Sequence, residues 1–229
     1  MPTPVLVSWS GGKDAAWTLH TLRQRDDVEV VGLLTTVTDG FERVAMHGIR
    51  RDVLHTQSEA AGLPLIEARI PQRCDNATYE AAFADALGQA RVCWPQVETL
   101  AFGDLFLADV RAWREASLAK IGWRIDTPLF GRDTAALARE MIREGLRTRL
   151  CCVDTEQLDA AFSGLAFDAA LLDALPVACD PCGENGEFHT LVHAGPMFAH
   201  ALDIEPGERV LRDGRFAYTD FMLLQAGTR

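Results

Sequence analysis

Two clusters of residues in this chain have the types and spacing to do chemistry. The first is Ser10-Gly11-Gly12-Lys13-Asp14, directly after the apolar run Val5-Leu6-Val7-Ser8-Trp9. A buried strand that ends in Ser-Gly-Gly and turns at once into a helix is a phosphate cradle. Glycines let the backbone approach an oxyanion closely. The first helical turn aims unpaired N–H groups at it, and the helix dipole favours negative charge there. The second cluster is Asp180-Pro181-Cys182-Gly183-Glu184-Asn185-Gly186-Glu187-Phe188-His189-Thr190. If Gly186 ends a turn and the residues after it are extended, Glu187 and His189 share one face, with Glu184 just across the turn. Such a group suits Mg²⁺, an amine or proton transfer. A polar turn leading to an edge strand has the same composition.

The elements that must position these clusters alternate between strand and helix. Residues 5–9 predict a first strand and 13–25 a helix. Residues 28–37 predict a buried second strand, 38–46 a loop, 49–61 a helix stopped by Gly62, and 65–70 a third strand. A long helix over 76–92 has Asn76 as its cap. A fourth strand over 99–105 ends in Phe102-Gly103-Asp104. A helix over 109–121 and a fifth strand over 123–129 follow. This rhythm reads as an α/β fold with a doubly wound parallel sheet, whose ligands sit beyond the carboxyl ends of the strands. Ser10–Asp14, Gly103-Asp104 and residues 35–38 would all lie at that edge. After Pro128 the rhythm changes to a helix over 134–144, a strand over 146–153, a short helix over 158–167 and a hairpin over 209–224. A second, smaller α+β domain is therefore expected, with residues 1–127 as the first domain and 128–229 as the second.

Lys plus Arg number 22 and Asp plus Glu 33, a net charge of −11, which argues against nucleic acid and against an acidic membrane as partners. No stretch approaches the ~20 apolar residues of a membrane span, and a cytoplasmic protein is expected. Cys179-Asp-Pro-Cys182 has the gap of a metal or redox pair, but no second pair like it exists and free thiols are expected. Walker A is excluded, since Gly12-Lys13 is followed by Asp14 in place of Ser or Thr and Val7 stands where its first glycine would be.

Ser-Gly-Gly-x-Asp resembles the PP-loop of ATP pyrophosphatases, which cut ATP between its α and β phosphates. The fuller pattern is similar to the diphthine–ammonia ligase family within them. It rests on Ser10 to Asp14, on Met46-His47-Gly48, on Phe102-Gly103-Asp104 with Pro128-Leu129-Phe130-Gly131-Arg132-Asp133, and on Asp180 through Thr190. The resemblance implies a HUP-type, Rossmann-like first domain with about five parallel strands and a C-terminal domain closing a cleft. It implies ATP and Mg²⁺ as cofactors, with ammonia and a carboxylate-bearing acyl substrate as reactants. Ser10, Gly11, Gly12, Lys13 and Asp14 would hold the phosphates. Glu184, Glu187 and His189 would line the cleft opposite, toward the acyl substrate or ammonia.

His47 reads as a nucleotide contact or a surface residue, and Gly103-Asp104 as part of the nucleotide site. Asp104 would join Asp14 on Mg²⁺ or cap the next helix. Arg50-Arg51 reads as a solvated helix face, the five tryptophans as core or interface, and His20 as structural. Ala15 departs from the family, whose loop continues with Ser, and costs one hydroxyl donor to phosphate. Two other functions fit less well: an RNA-modifying PP-loop enzyme, against the charge, and a non-catalytic nucleotide sensor, motivated by Ala15. A homodimer is left open.

Overall fold

A computed structural model of the chain describes residues 1–40, 42–44 and 47–224. Met46, the first residue of the Met46-His47-Gly48 motif, lies outside them. The first sheet is built from β1 (Thr3–Ser8), β2 (Val28–Thr38), β3 (Arg43–Val44), β4 (Leu65–Ile70), β5 (Thr99–Ala101) and β6 (Arg124–Asp126). Five of these strands are parallel, in the order β4-β2-β1-β5-β6, and β3 runs antiparallel at the far end of β2. This is the expected α/β, Rossmann-like sheet.

Both faces of the sheet are buried, which is why its strands read as continuous apolar runs. Leu6, Leu34 and Leu100 pack under α3 (Asn76–Cys93) and α4 (Ala108–Ala119). Val5, Val7 and Leu33 pack under α1 (Lys13–Arg23) and α2 (Arg51–Ala61). Gly62 stops α2 in the left-handed region at φ 66°, as its position after the last apolar residue foretold.

The remaining strands are β7 (Arg147–Asp154), β8 (Phe188–Ala194), β9 (Ile204–Arg212) and β10 (Phe216–Leu223), with α5 (Thr134–Arg143) and α6 (Ala169–Ala174) beside them. They form an antiparallel sheet in the order β8-β7-β10-β9. Its apolar face joins the core on the α1–α2 side of the first sheet, so Trp17 and Leu54 share one cluster with Leu150, Phe188 and Met197. Backbone bonds tie the two regions: Val192 N–H donates to Gly11 O (2.9 Å) and Ala199 N–H to Ala60 O (2.7 Å).

Several expectations need correction. Asp75, not Asn76, caps α3, its carboxylate accepting from Thr78 N–H at 2.8 Å. Residues 158–167 form only a 3₁₀ turn at Ala160–Phe162. Gly164 N–H and Phe167 N–H donate to β7 carbonyls instead, at 2.7 and 2.9 Å, and that pairing is incompatible with a continuing helix. β5 and β6 are short, because the chain leaves the sheet at Phe102 and at Thr127. Trp9, Trp17 and Trp123 are buried, but Trp113 is 51% exposed on α4. Among the described residues no helix is long and apolar enough to cross a membrane.

The segment from Pro128 to Asp133 connects the two regions. Gly131 N–H donates to Leu105 O (2.7 Å), and Asp133 caps α5 through Ala136 N–H (2.7 Å). Arg132 forks onto Glu140 at 2.9 and 2.6 Å, and Trp17 Nε1–H donates to the same carboxylate at 3.2 Å. This motif is a joint that fixes α5 against α1.

Candidate active site

The strand order reverses between β1 and β5, and a cleft of about 610 Å³ opens there beyond their carboxyl ends. That is where open α/β sheets take their ligands, and the size suits a small-molecule site. Its wall includes Ser10, Lys13, Asp14, Ala15, His47, Gly103, Asp104, Glu184 and His189. Most of the residues singled out from the sequence therefore meet in one cavity.

The two loop glycines do different jobs. Gly11, at φ 79°, presses on α2: a Cβ there would lie 2.8 Å from Gln57 Oε1 and 2.9 Å from Leu54 Cδ2. Gly12 is the one whose Cβ would point among Thr190 O (3.1 Å), His47 Nε2 (3.3 Å) and Ser10 Oγ (3.3 Å). No side chain of Gly12, the N-cap, closes the end of α1. Thr190 Oγ accepts from Lys13 N–H at 3.0 Å, which fastens β8 to the first turn. Beneath the loop, Gln57 is fully buried. It accepts from Trp9 Nε1–H (3.0 Å) and donates to Gly11 O (3.0 Å) and Val192 O (2.7 Å).

Lys13 is 2% exposed, and its ammonium donates to both Asp14 oxygens at 2.9 and 2.7 Å. Burial works against that ammonium, but Asp14, Cys182 and Glu184 outweigh it and raise its pKa. Burial also raises the Asp14 carboxyl, against the pull of Lys13. Gly103 brings the second carboxylate close. A Cβ on it would lie 2.7 Å from the Asp14 carbonyl carbon, so only glycine lets the loop after β5 touch the start of α1.

Asp104 follows. Its Oδ1 pairs with Arg114 at 3.1 Å, while its Oδ2 is buried and meets no hydrogen-bond partner. Burial raises its carboxyl above the ordinary range; Arg114 opposes that and Asp14 adds to it. Asp104 does not cap α4, whose N-cap is Leu107. A buried carboxylate oxygen without a donor fits a cation ligand. Among the described residues no group of three or more His, Cys, Asp and Glu side chains could hold a metal alone. Mg²⁺ held by one or two carboxylates and by the phosphates of its nucleotide needs no such group.

The segment from Asp180 to Glu187 is zipped by its own carboxylates. Asp180 Oδ1 accepts from Cys182 N–H (2.9 Å) and Glu184 N–H (3.2 Å), and its Oδ2 accepts from the Thr134 hydroxyl (2.6 Å). Glu187 is 2% exposed and accepts from Asp180 N–H (2.8 Å), Asn185 N–H (2.9 Å) and Asn185 Nδ2 (3.1 Å). It is not on the cleft wall, contrary to the expectation, because the turn it closes consumes its carboxylate. Glu184 does reach across: its Oε1 accepts from Leu105 N–H (2.8 Å) and Phe106 N–H (3.4 Å), latching this loop to the one after β5. Burial raises its carboxyl, against the Leu105 N–H.

His189 packs against His47, ring centroids 4.4 Å apart and ring planes tilted by 35°. Burial, helped by Lys13, lowers its pKa to about 4. His189 and His193 have a spacing that would complete a zinc set with Cys179 and Cys182, but His193 lines a different cavity beside Arg147 and Arg149. Residues 35–38 also lie apart, because β2 runs on past its pairing with Ser8, and Thr38 lines another cavity. Arg50 pairs with Asp220 (2.6 Å) and Arg51 with Glu67 (2.7 Å), away from the phosphate loop. Gln57, Asp180, Thr190 and Arg114 were not singled out from the sequence as site residues. Of these, Asp180 and Thr190 at least lay inside a marked segment.

A depressed histidine pKa has a stability consequence. The unfolded chain takes up this proton near 6.5 and the folded one only near 4. His189 therefore contributes stability above pH 6.5 that is lost as pH falls toward 4, about 3 kcal/mol at ~1.4 kcal/mol per unit. Urea titrations between pH 4 and 8 should show a steeper fall for the wild type than for His189→Asn. The comparison isolates the histidine, since the raised carboxyls of Asp14, Asp104 and Glu184 act in the opposite sense. Parallel pH curves would mean that His189 is not held neutral by the fold.

A parallel sheet with a Ser-Gly-Gly-Lys-Asp loop at its switch point and Glu184 across the cleft is the arrangement expected of a PP-loop ATP pyrophosphatase. Comparison with family models narrows this. The model described as diphthamide synthase N-terminal domain matches residues 3–125, and the one described as diphthamide synthase C-terminal domain matches residues 133–220. The chain belongs to the diphthamide synthase family, PP-loop ATP pyrophosphatases of the diphthine–ammonia ligase type. No curated protein matches it.

Proposed function

We propose that the protein is an AMP-forming amide ligase: a substrate carboxylate displaces pyrophosphate from ATP, and ammonia then displaces AMP from the acyl-adenylate. A carboxylate is a poor acyl donor, and AMP supplies the leaving group. The observation that carries the reading is the cleft itself, where the start of α1, the Lys13–Asp14 pair, Asp104 and Glu184 meet at the switch point.

A second cavity of about 210 Å³ adjoins the cleft, with Tyr79, Phe83, Phe102 and Trp113 in its wall. Ser8, Phe102 and Arg114 line both. An aromatic cavity beside a polar one suits a nucleotide, base in the first and phosphates in the second. Ser10, Gly12, Lys13 and Asp14 would hold the β and γ phosphates on the start of α1. Asp104 and Asp14 would hold Mg²⁺, which when bound shields the phosphate charge. Glu184 would set the gap between the two loops. His189, neutral at working pH, would donate or accept a hydrogen bond at the acyl or ammonia side. Ala15 leaves one phosphate contact unmade, worth ~0.5–1.5 kcal/mol, which weakens binding without abolishing it.

Family membership supports ATP use, and the family's name makes the carboxylate of diphthine the first to test. Chromatography of the nucleotide products with Mg²⁺, ammonium and that carboxylate should give AMP and pyrophosphate. ADP and phosphate as the main products would overturn the reading.

A further inference from the structure

The mechanism above leaves one cation on the cleft wall without a task. Arg114 projects from α4, and among the described residues it is the only arginine lining the cleft. Its guanidinium lies 4.2 Å from the Phe102 ring centroid and makes one 3.1 Å ion pair, to Asp104 Oδ1. Lys13, the other cation there, is engaged by both oxygens of Asp14. Arg114 thus has donors to spare, and its side chain is 30% exposed, so it can reach a ligand.

Its position selects which part of ATP it would meet. In ATP the α phosphate lies between the ribose and the pyrophosphate. With the base in the aromatic cavity and the β and γ phosphates on the start of α1, the α phosphate falls at the wall the two cavities share. Ser8, Phe102 and Arg114 form that wall, and among the described residues Arg114 is its only cation. Resting on the adenylation reading, we infer that Arg114 is a catalytic residue whose guanidinium grips the non-bridging oxygens of the α phosphate. In the step it serves, a carboxylate oxygen forms a bond to the α phosphorus. The bond from that phosphorus to the bridging oxygen breaks, and its electron pair leaves on pyrophosphate. The charge left on the α-phosphate oxygens is what a planar, two-pronged donor matches. The stacked Phe102 ring keeps the fork oriented before ATP arrives.

The test uses two fragments of the nucleotide, so it needs no acyl substrate. Calorimetry measures binding of AMP and, separately, of pyrophosphate with Mg²⁺, to wild type, Arg114→Gln and Arg114→Lys. Arg114→Gln should weaken AMP by roughly ten- to hundredfold, the scale of a lost charge-assisted bond, and change pyrophosphate by only a few-fold, through the release of Asp104 from its ion pair. Arg114→Lys, which keeps the charge but not the fork, should fall between. Circular dichroism should show both variants folded, since Arg114 is part-exposed on a helix that buries only Leu118. Wild-type binding of both fragments with AMP affinity unchanged in Arg114→Gln would overturn this role alone. Equal weakening of AMP and pyrophosphate would make Arg114 a general source of positive field and also overturn it. If the wild type binds neither fragment, the nucleotide reading of the cleft falls, and this inference with it.

Discussion

Asp104→Asn is expected to cut kcat/KM for ATP consumption by about a hundredfold or more, ~2.7 kcal/mol or more of transition-state stabilisation, in a protein that still folds. The two oxygens of this carboxylate do unlike things. Oδ1 holds Arg114, while Oδ2 is buried and makes no hydrogen bond. Folding has left that oxygen without compensation, at a cost on the order of 1–3 kcal/mol, and a cation would repay it. Asparagine keeps the shape and an acceptor for Arg114 but removes the charge and offers an amide where a cation belongs. The same variant should lose the Mg²⁺ dependence of ATP binding in calorimetry, a readout independent of turnover. Full turnover with unchanged Mg²⁺ dependence would show that the orphan oxygen is not a ligand.

What the sequence made legible was what lies close together along it. The strand, glycine loop and helix around Ser10–Asp14 are contiguous, so their geometry follows from local rules. The sheet follows as well, since five short apolar runs alternate with helices. The segment from Asp180 to Thr190 announced itself by its charge, but not the division of labour within it. Whether Glu187 faces a cleft or its own turn depends on backbone N–H groups up to seven residues away. Gln57 was invisible, because its partners Trp9 and Val192 lie 48 and 135 positions distant. Arg114 looks like any arginine on a surface helix until β5 and β1 are placed side by side. Gly11 and Gly12 are adjacent and identical in type, yet one serves packing on α2 and the other the cleft. Only the φ of 79° and the approach of Leu54 separate them.

Glu187 carries the other large effect, and it separates positioning from chemistry. Glu187→Ala removes acceptors from three N–H groups, two of them backbone donors, in a partly buried turn. Unsatisfied buried donors cost about 1–3 kcal/mol each when water cannot reach them. With partial rescue by solvent, a loss of ~2–4 kcal/mol is expected, and a fall in Tm on the order of 4–16 °C. Glu187→Gln fills the space, but its amide would face Asn185 N–H, one donor against another, so about half of that loss should remain. As this turn loosens, Glu184 loses its hold on Leu105 N–H, the latch between the two loops of the cleft. Turnover should therefore fall in step with stability across Glu187→Gln and Glu187→Ala, while Mg²⁺–ATP affinity changes little, because the phosphate loop is held independently by Gln57 and Thr190. Differential scanning calorimetry and steady-state kinetics on the two variants read this directly. If Glu187→Gln abolishes turnover at an unchanged Tm, the carboxylate acts on substrate, and the turn seen here must open to expose it.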